Sequence, residues 1–370
     1  MIQHRHDSTS RLVKTTSMQR SIQESQEPWR VLAQKVTFLS SPSAYSNISI
    51  ESPITTTVKV IETHMSYVFL TDRHAYKLKK PVKLPFVDFT QLPARYLNAR
   101  REFHLNQELA PSVYLRVVPL LFDPQHQFRL VDAISPGAKA AEWLLVMKRL
   151  PRECMLDAAI QRPDLPLAQV ESAARRLVSF YQTTRKVRIN PNAYLDRLRA
   201  KAFGNLDVLV QPAYELSLKQ LALLRCGQQE GLARHTPEIV KRVQQSRVVD
   251  GHGDLRPEHI CLTTPPVIID RLEVDPHVRL LDPVNELALL MIECRLLGHP
   301  ELGELFLRRY RQLAPDVFSP GLSAFYQSLQ ATSRAKFAVW HIDDPRVADK
   351  ARWRAKAKGY VAMALSALEV

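Results

Sequence analysis

Val248-Val249-Asp250-Gly251-His252-Gly253-Asp254-Leu255-Arg256-Pro257-Glu258-His259 is the stretch on which the fold turns. Two glycines flank a histidine beside two aspartates, in a chain of 370 residues that holds only 10 glycines. Glycine is used where a backbone must turn sharply or approach another group closely. The apolar Ile260-Cys261-Leu262 follows, and then Pro266-Val267-Ile268-Ile269, which ends on Asp270. A carboxylate on a tight loop and a second one closing a nearby hairpin can serve one site. Phosphoryl transfer needs such a pair: one orients an acceptor hydroxyl and takes its proton, the other holds Mg²⁺ against the phosphates. Either aspartate alone reads as a turn residue capping a strand end; the constellation is what points to chemistry.

Outward from this loop, the two flanks differ. Upstream, Trp29, Leu32, Val36 and Leu39 recur at helical spacing. Ser40 to Pro53 reads as a loop, then Thr57–Ile61, Ser66–Leu70 and Ala75–Lys79 as short strands. Pro93 to Leu109 reads as a helix with proline in its first turn. Tyr114–Leu121 and Phe128–Asp132 are expected to pair, and Glu142–Leu150 is a further strand ending before Pro151. Beyond Pro151, helical patterns cover Leu165–Thr184, Tyr194–Val208, Tyr214–Glu230 and Pro237–Gln245, and resume from Val284 to the end. The expectation is an α+β chain: a small β-rich lobe over 28–149 and a larger helical lobe over 150–370. Residues 1–27 are rich in Ser, Thr, Gln, Arg and His and are expected to be a mobile tail, with Met18 an alternative start. Asp7, Glu24 and Glu27 argue against an organelle transit peptide, and the apolar stretch of a secretion signal is missing there.

Composition narrows the function. Lys plus Arg is 51 against 37 Asp plus Glu, a formal charge of +14, which favours anionic partners. The basic residues are dispersed; their tightest cluster is Lys77, Lys79, Lys80 and Lys83, so a dedicated nucleic-acid surface is a weak reading. Cys154, Cys226, Cys261 and Cys294 form no CxxC pair, which supports neither a zinc ribbon nor a redox motif. Reduced thiols in a cytoplasmic protein are the expectation. There is no run of about 18 apolar residues to span a membrane, and no GxxxxGK[ST] loop, GxSxG elbow or HExxH pair.

HGDLRPEHI resembles the catalytic-loop motif HGDxxxxN of the aminoglycoside phosphotransferase family, and PVIIDRLE resembles that family's metal-binding segment, equivalent to the DFG of protein kinases. KVTFLSSPSAY, VIETHMSYVFL, AYKLKKPVKLPFVDF, LNQELAPSVYL and LLDPVNELALL extend the resemblance, from about Pro28 to Leu297, toward an uncharacterised bacterial subgroup. It implies a protein-kinase-like two-lobed fold that uses ATP and Mg²⁺. It casts Asp254 as the catalytic base, grouped with His252 and His259, and Asp270 as the metal ligand. Lys77, or Lys79 on the same strand face, would bind the phosphates, with Glu102 as the paired helix glutamate. Leu144–Lys148, with Met147, would be the hinge offering backbone groups to adenine.

The chain departs from that pattern in ways that matter. His259 stands where the family usually has Asn, a second Mg²⁺ ligand, and imidazole suits softer metals. Asp270 would then hold one ion, helped by Glu273. IETHMSYVF lacks the glycines of a phosphate-covering loop, leaving Thr63, Ser66 and nearby backbone N–H groups to do that work. Glu286 replaces the Asp that usually braces the catalytic loop, with Asp282 sharing the task. Lys80 and Lys83 read as a solvated basic turn. The expected activity is ATP-dependent phosphorylation of a hydroxyl on a small molecule, an anionic or neutral one suiting the charge better than an aminoglycoside. The alternative is a kinase-fold nucleotide-binding protein with little catalysis.

Overall fold

The computed structural model describes residues 29–51, 56–84, 87–123, 125, 127–344 and 347–369; the expected tail lies outside them. The chain forms two units, divided in sequence between Arg149 and Leu150.

In the first unit a helix over residues 29–39, α1, buries Leu32 and Leu39 against the sheet. The sheet has six antiparallel strands in the order β1 (Lys59–Glu62), β2 (Ser66–Leu70), β3 (His74–Lys79), β8 (Ala140–Lys148), β6 (Tyr114–Phe122) and β7 (Phe128–Leu130). A small hairpin of β4 (Lys83–Leu84) and β5 (Val87–Asp88) precedes helix α2 (Leu92–Asn106). Side chains alternate along a strand. Tyr76 and Leu78 of β3 therefore enter the core with Phe69, Leu144 and Val146, while Lys77 and Lys79 take the other face. The segment expected as a loop after α1 carries 3₁₀ turns at Pro42–Tyr45 and Ser49–Glu51, pinned by buried Tyr45 and Ile48.

Helix α2 buries polar residues, Arg95, Asn98, Glu102 and Asn106, rather than an apolar stripe. Its anchor is Glu142 of β8. Glu142 Oε2 takes Arg95 Nη2 at 2.8 Å and Lys35 Nζ at 2.9 Å, so one buried carboxylate ties α1 and α2 to the sheet. The strand expected to run to Leu150 ends at Lys148.

The second unit is mainly helical: α3 (Leu156–Ala159), α4 (Leu167–Thr183), α5 (Pro191–Leu209), α6 (Leu218–Gln244), α7 (Pro276–Arg279), α8 (Pro283–Leu296), α9 (Pro300–Leu313), α10 (Pro320–Asp343) and α11 (Lys350–Ser366). Its short strands are β9 (Val249–Asp250) paired with β12 (Leu280–Leu281), and β10 (Ile260–Cys261) paired with β11 (Val267–Ile268). A core of Leu206, Leu221, Ile292, Val339 and Tyr360 joins α5, α6, α8, α10 and α11.

The two helices expected over Tyr214–Glu230 and Pro237–Gln245 are one helix, α6, which runs through Pro237. A proline costs a helix a hydrogen bond and crowds the carbonyl one turn back. Here that carbonyl belongs to Ala233, which like Pro237 is exposed and so open to water. Buried Leu221, Leu224, Leu232, Ile239 and Val243 continue one face across the break. No helix among the described residues is long and apolar enough to cross a membrane.

Candidate active site

The catalytic-loop candidate leaves β9 at Gly251. Gly253 has φ +90°, and a Cβ there would lie 2.9 Å from Arg279 Cγ and 3.2 Å from Leu272 Cβ. Only glycine meets both the conformation and the space. Two arginines clamp the loop. Arg271, 1% exposed, donates to Gly251 O at 2.9 Å and to Asp250 O at 2.7 Å. Arg279 donates to Asp250 Oδ1 at 2.7 Å and to Leu272 O at 2.7 Å. From α8, Glu286 accepts the N–H of His252 at 3.0 Å, the N–H of Gly253 at 2.5 Å and the Tyr181 hydroxyl at 2.7 Å. Burial pushes the Glu286 carboxyl up, against the pull of those donors. Asp282 does not share the bracing. It caps α8 through Val284 N–H at 2.9 Å and pairs with Arg242 at 2.5 Å, because it sits one turn too early to reach the loop.

His252 is fully buried. Its Nε2–H donates to Ile269 O at 2.8 Å and its Nδ1 accepts the Asp254 N–H at 3.3 Å. Burial drives its pKa down to about 3, so the ring is a neutral spacer between the loop and β11. His259 stacks on it with centroids 5.7 Å apart. His259 Nδ1–H donates to Asp254 O at 2.7 Å. Its Nε2 accepts from Arg256 at 3.2 Å and stands 3.6 Å from Asp270 Oδ2. His259 is thus hydrogen-bonded to the backbone of Asp254 and turns its acceptor nitrogen toward the side chain of Asp270.

Asp254 Oδ2 accepts Arg256 Nε at 3.1 Å and Nη2 at 2.9 Å. Among the described residues its Oδ1 has no hydrogen-bond partner, and the side chain is 28% exposed. Burial alone would raise the Asp254 pKa; Arg256, His259 and Arg334 overcome it and hold the carboxyl below its usual value. Arg256 also pairs with Glu258. Arg256, Arg271 and Arg279 belong to no motif in the sequence. The place of Arg256 two residues after Asp254 was a signal. Arg271 and Arg279 gave none, because their role as clamps depends on the path of the loop in three dimensions.

Asp270 has φ +62°, a left-handed conformation that costs most residues roughly 1–2 kcal/mol and that Asp tolerates better than most. It is 40% exposed. Mg²⁺ takes oxygen ligands and keeps several waters, and the Asp270 carboxylate fits that demand. His259 Nε2 fits it poorly, being a nitrogen already engaged by Arg256. Glu273 is buried, and among the described residues no three His, Cys, Asp or Glu side chains form a metal-ligating group.

In the first unit, Lys77 Nζ lies 2.7 Å from Glu102 Oε1 and Lys79 Nζ 2.9 Å from Glu102 Oε2. The carboxylate is fully buried, and both lysines share it. Thr63 and Ser66 close the β1–β2 turn. Thr63 Oγ1 donates to Ser66 O and accepts the Ser66 N–H, each at 3.0 Å. Lys80 is not solvated: it is 1% exposed, donates to Thr63 O at 2.7 Å, pairs with Glu62 and lies 4.5 Å over the Tyr67 ring. The Lys80 N–H donates to Met65 O at 2.9 Å, which holds the residue against the β1–β2 turn. Lys83 is exposed, as expected, 3.4 Å from Asp88. Met147 pairs with Ala75 and Tyr114 in the sheet.

No protein-family model matches the chain. Uncharacterised proteins of Mycobacterium tuberculosis and Mycobacterium bovis are each 29% identical over 283 residues, covering 75% of this chain and 54% of the relative. The chain thus spans about half the length of these curated relatives. The crystal structure of choline kinase from Cryptosporidium parvum superposes with a TM-score of 0.53 at 12% identity, covering 91% of this chain and 95% of that one. At that identity the likeness concerns the fold: the chain has the α+β, protein-kinase-like fold.

Proposed function

We propose that the chain is a phosphotransferase that moves the γ-phosphate of ATP to a hydroxyl of a small molecule. The observation that carries this reading is Asp254, with one carboxylate oxygen held by Arg256 and the other without a protein partner among the described residues. Oδ1 accepts the acceptor's hydroxyl proton and aims its oxygen. Arg256 weakens Asp254 as a base, which phosphoryl transfer tolerates because its loose transition state depends more on positioning than on early deprotonation. Lys77 and Lys79 anchor phosphate oxygens, and Glu102 orients them. Asp270 is the residue to hold Mg²⁺, which when bound neutralises charge on the phosphates.

Asp254→Ala tests the reading. ATP turnover with Mg²⁺ should be lost while calorimetric ATP binding stays within about threefold; turnover at the wild-type rate in that variant refutes it. A second reading, a nucleotide-binding protein with little catalysis, is favoured by His259, which places a nitrogen beside Asp270. ATP bound without turnover under either Mg²⁺ or Mn²⁺ would select it.

A further inference from the structure

The two lysines that hold Glu102 are supported differently by the sheet. Lys77 stands mid-strand, opposite Val68 of β2 and Leu145 of β8. The register with β8 ends at Leu78, so among the described strands Lys79 is flanked by β2 alone, opposite Ser66. Ser66 opens β2 at the foot of the β1–β2 turn, a turn that contains no glycine. The end of β3 is therefore held by that turn, and the turn is held by Lys80.

Lys80 grips the turn through its backbone and its side chain. Its N–H donates to Met65 O at 2.9 Å. Its ammonium donates to Thr63 O at 2.7 Å, pairs with the Glu62 carboxylate and lies 4.5 Å from the centre of the Tyr67 ring. The Lys80 side chain is 1% exposed and that of Glu62 50%, so the cation is drawn out of water into the turn. A buried cation persists only where such partners compensate its lost hydration. Thr63 Oγ1 is committed inside the same turn, to the carbonyl and N–H of Ser66. A glycine-rich loop approaches a ligand through bare backbone that can bend. This turn is instead fixed from within, its hydroxyl and its ammonium both engaged, and what it offers a ligand is the placement of Lys79.

We infer that Lys80 is a positioning residue for the nucleotide phosphates, acting through Lys79: it locks the β1–β2 turn, and the locked turn sets the end of β3 from which Lys79 reaches a phosphate oxygen. Lys77, flanked by strands on both sides, does not depend on it. That role rests on the reading of Lys77 and Lys79 as phosphate anchors; the lock on the turn does not.

Lys80→Met keeps an unbranched apolar stem and removes the charge. In the full chain without nucleotide, hydrogen exchange at the Ser66 and Lys80 amides should quicken about tenfold, while the β3 amides from Ala75 to Lys77 stay as they are. With Mg²⁺ present, the calorimetric Kd for ATP should rise about tenfold, the scale of one charge-assisted hydrogen bond. Lys79→Met should weaken ATP by a similar factor, and Lys79→Met/Lys80→Met no further than either alone, because both remove the same contact. Lys77→Met/Lys80→Met should show the product of the two single effects. A merely structural role would multiply with Lys79→Met as it does with Lys77→Met. That product in the Lys79 pair, or an unchanged Kd in a folded Lys80→Met, overturns the role, as does unchanged amide exchange. Should Lys80→Met not fold, Glu62→Gln loosens the same tie from its half-exposed end; its Kd should rise about threefold, again with no further loss on top of Lys79→Met, and an unchanged Kd there counts against the role equally. A wild type that binds no ATP removes the phosphate anchors and this role together, whereas ATP bound with an unmoved Kd in Lys80→Met removes the role of Lys80 alone.

Discussion

Replacing Glu286 with Ala removes the acceptor for two backbone N–H groups, those of His252 and Gly253, and for the Tyr181 hydroxyl. Each buried donor left unpaired costs about 1–3 kcal/mol. Relief of the buried carboxylate's own desolvation offsets part of the sum, so the expected loss is roughly 3–6 kcal/mol, a large fraction of the roughly 5–15 kcal/mol typical of folded proteins. Urea unfolding followed by circular dichroism reads this as a lower midpoint at constant slope. Tyr181→Phe alone should cost about 1 kcal/mol, since it removes one bond and leaves only an acceptor lone pair. In the Glu286→Ala background the same change should cost nothing, because the hydroxyl is already unpaired. A loss below about 1 kcal/mol in Glu286→Ala, or additive effects in the double variant, would refute the bracing role.

Other outcomes follow from neighbouring groups. His252 has a folded pKa of about 3 against an ordinary value of 6.5, so between those limits the unfolded chain binds the extra proton and stability rises with pH. From about pH 7.5 down to about 5.5 the wild type should lose about 1.4 kcal/mol relative to His252→Gln. Taking the difference cancels other groups that titrate there, and an identical pH slope in the two proteins contradicts the neutral buried ring. Gly253→Ala, with φ +90° and a 2.9 Å contact to Arg279, should lower stability by about 2 kcal/mol, measured by thermal melting. Glu102→Gln removes the anion shared by Lys77 and Lys79 and should cost roughly 3–5 kcal/mol in the same assay.

Local chemistry was legible in the sequence where it repeats a period or a spacing. The alternation Ala75-Tyr76-Lys77-Leu78-Lys79 placed both lysines on one strand face, and the glycines around His252 marked a tight loop. What stayed hidden depends on contacts between distant segments. Nothing in the local pattern distinguishes Lys80, buried over Tyr67, from the exposed Lys83. Pro237 reads as a helix start because proline favours the first turn, and only packing across the break decides otherwise. The ion pair between Asp254 and Arg256 could be suspected from spacing, but not that one carboxylate oxygen would remain without a partner.

Helix α8 is buried on all sides from Pro283 to Cys294, yet it carries polar residues that each serve a different neighbour. Glu286 reaches the loop at His252, Asn285 takes Gln330, and Glu293 takes Arg334 at 2.6 Å and Tyr360 at 2.8 Å. Each residue turns a helix by about 100°. A single residue inserted at the start of α8 would swing every one of these groups toward a wrong partner at once. An apolar helix could settle into such a slip, but this one is keyed to a single rotation, like a cylinder lock whose pins stand at different angles.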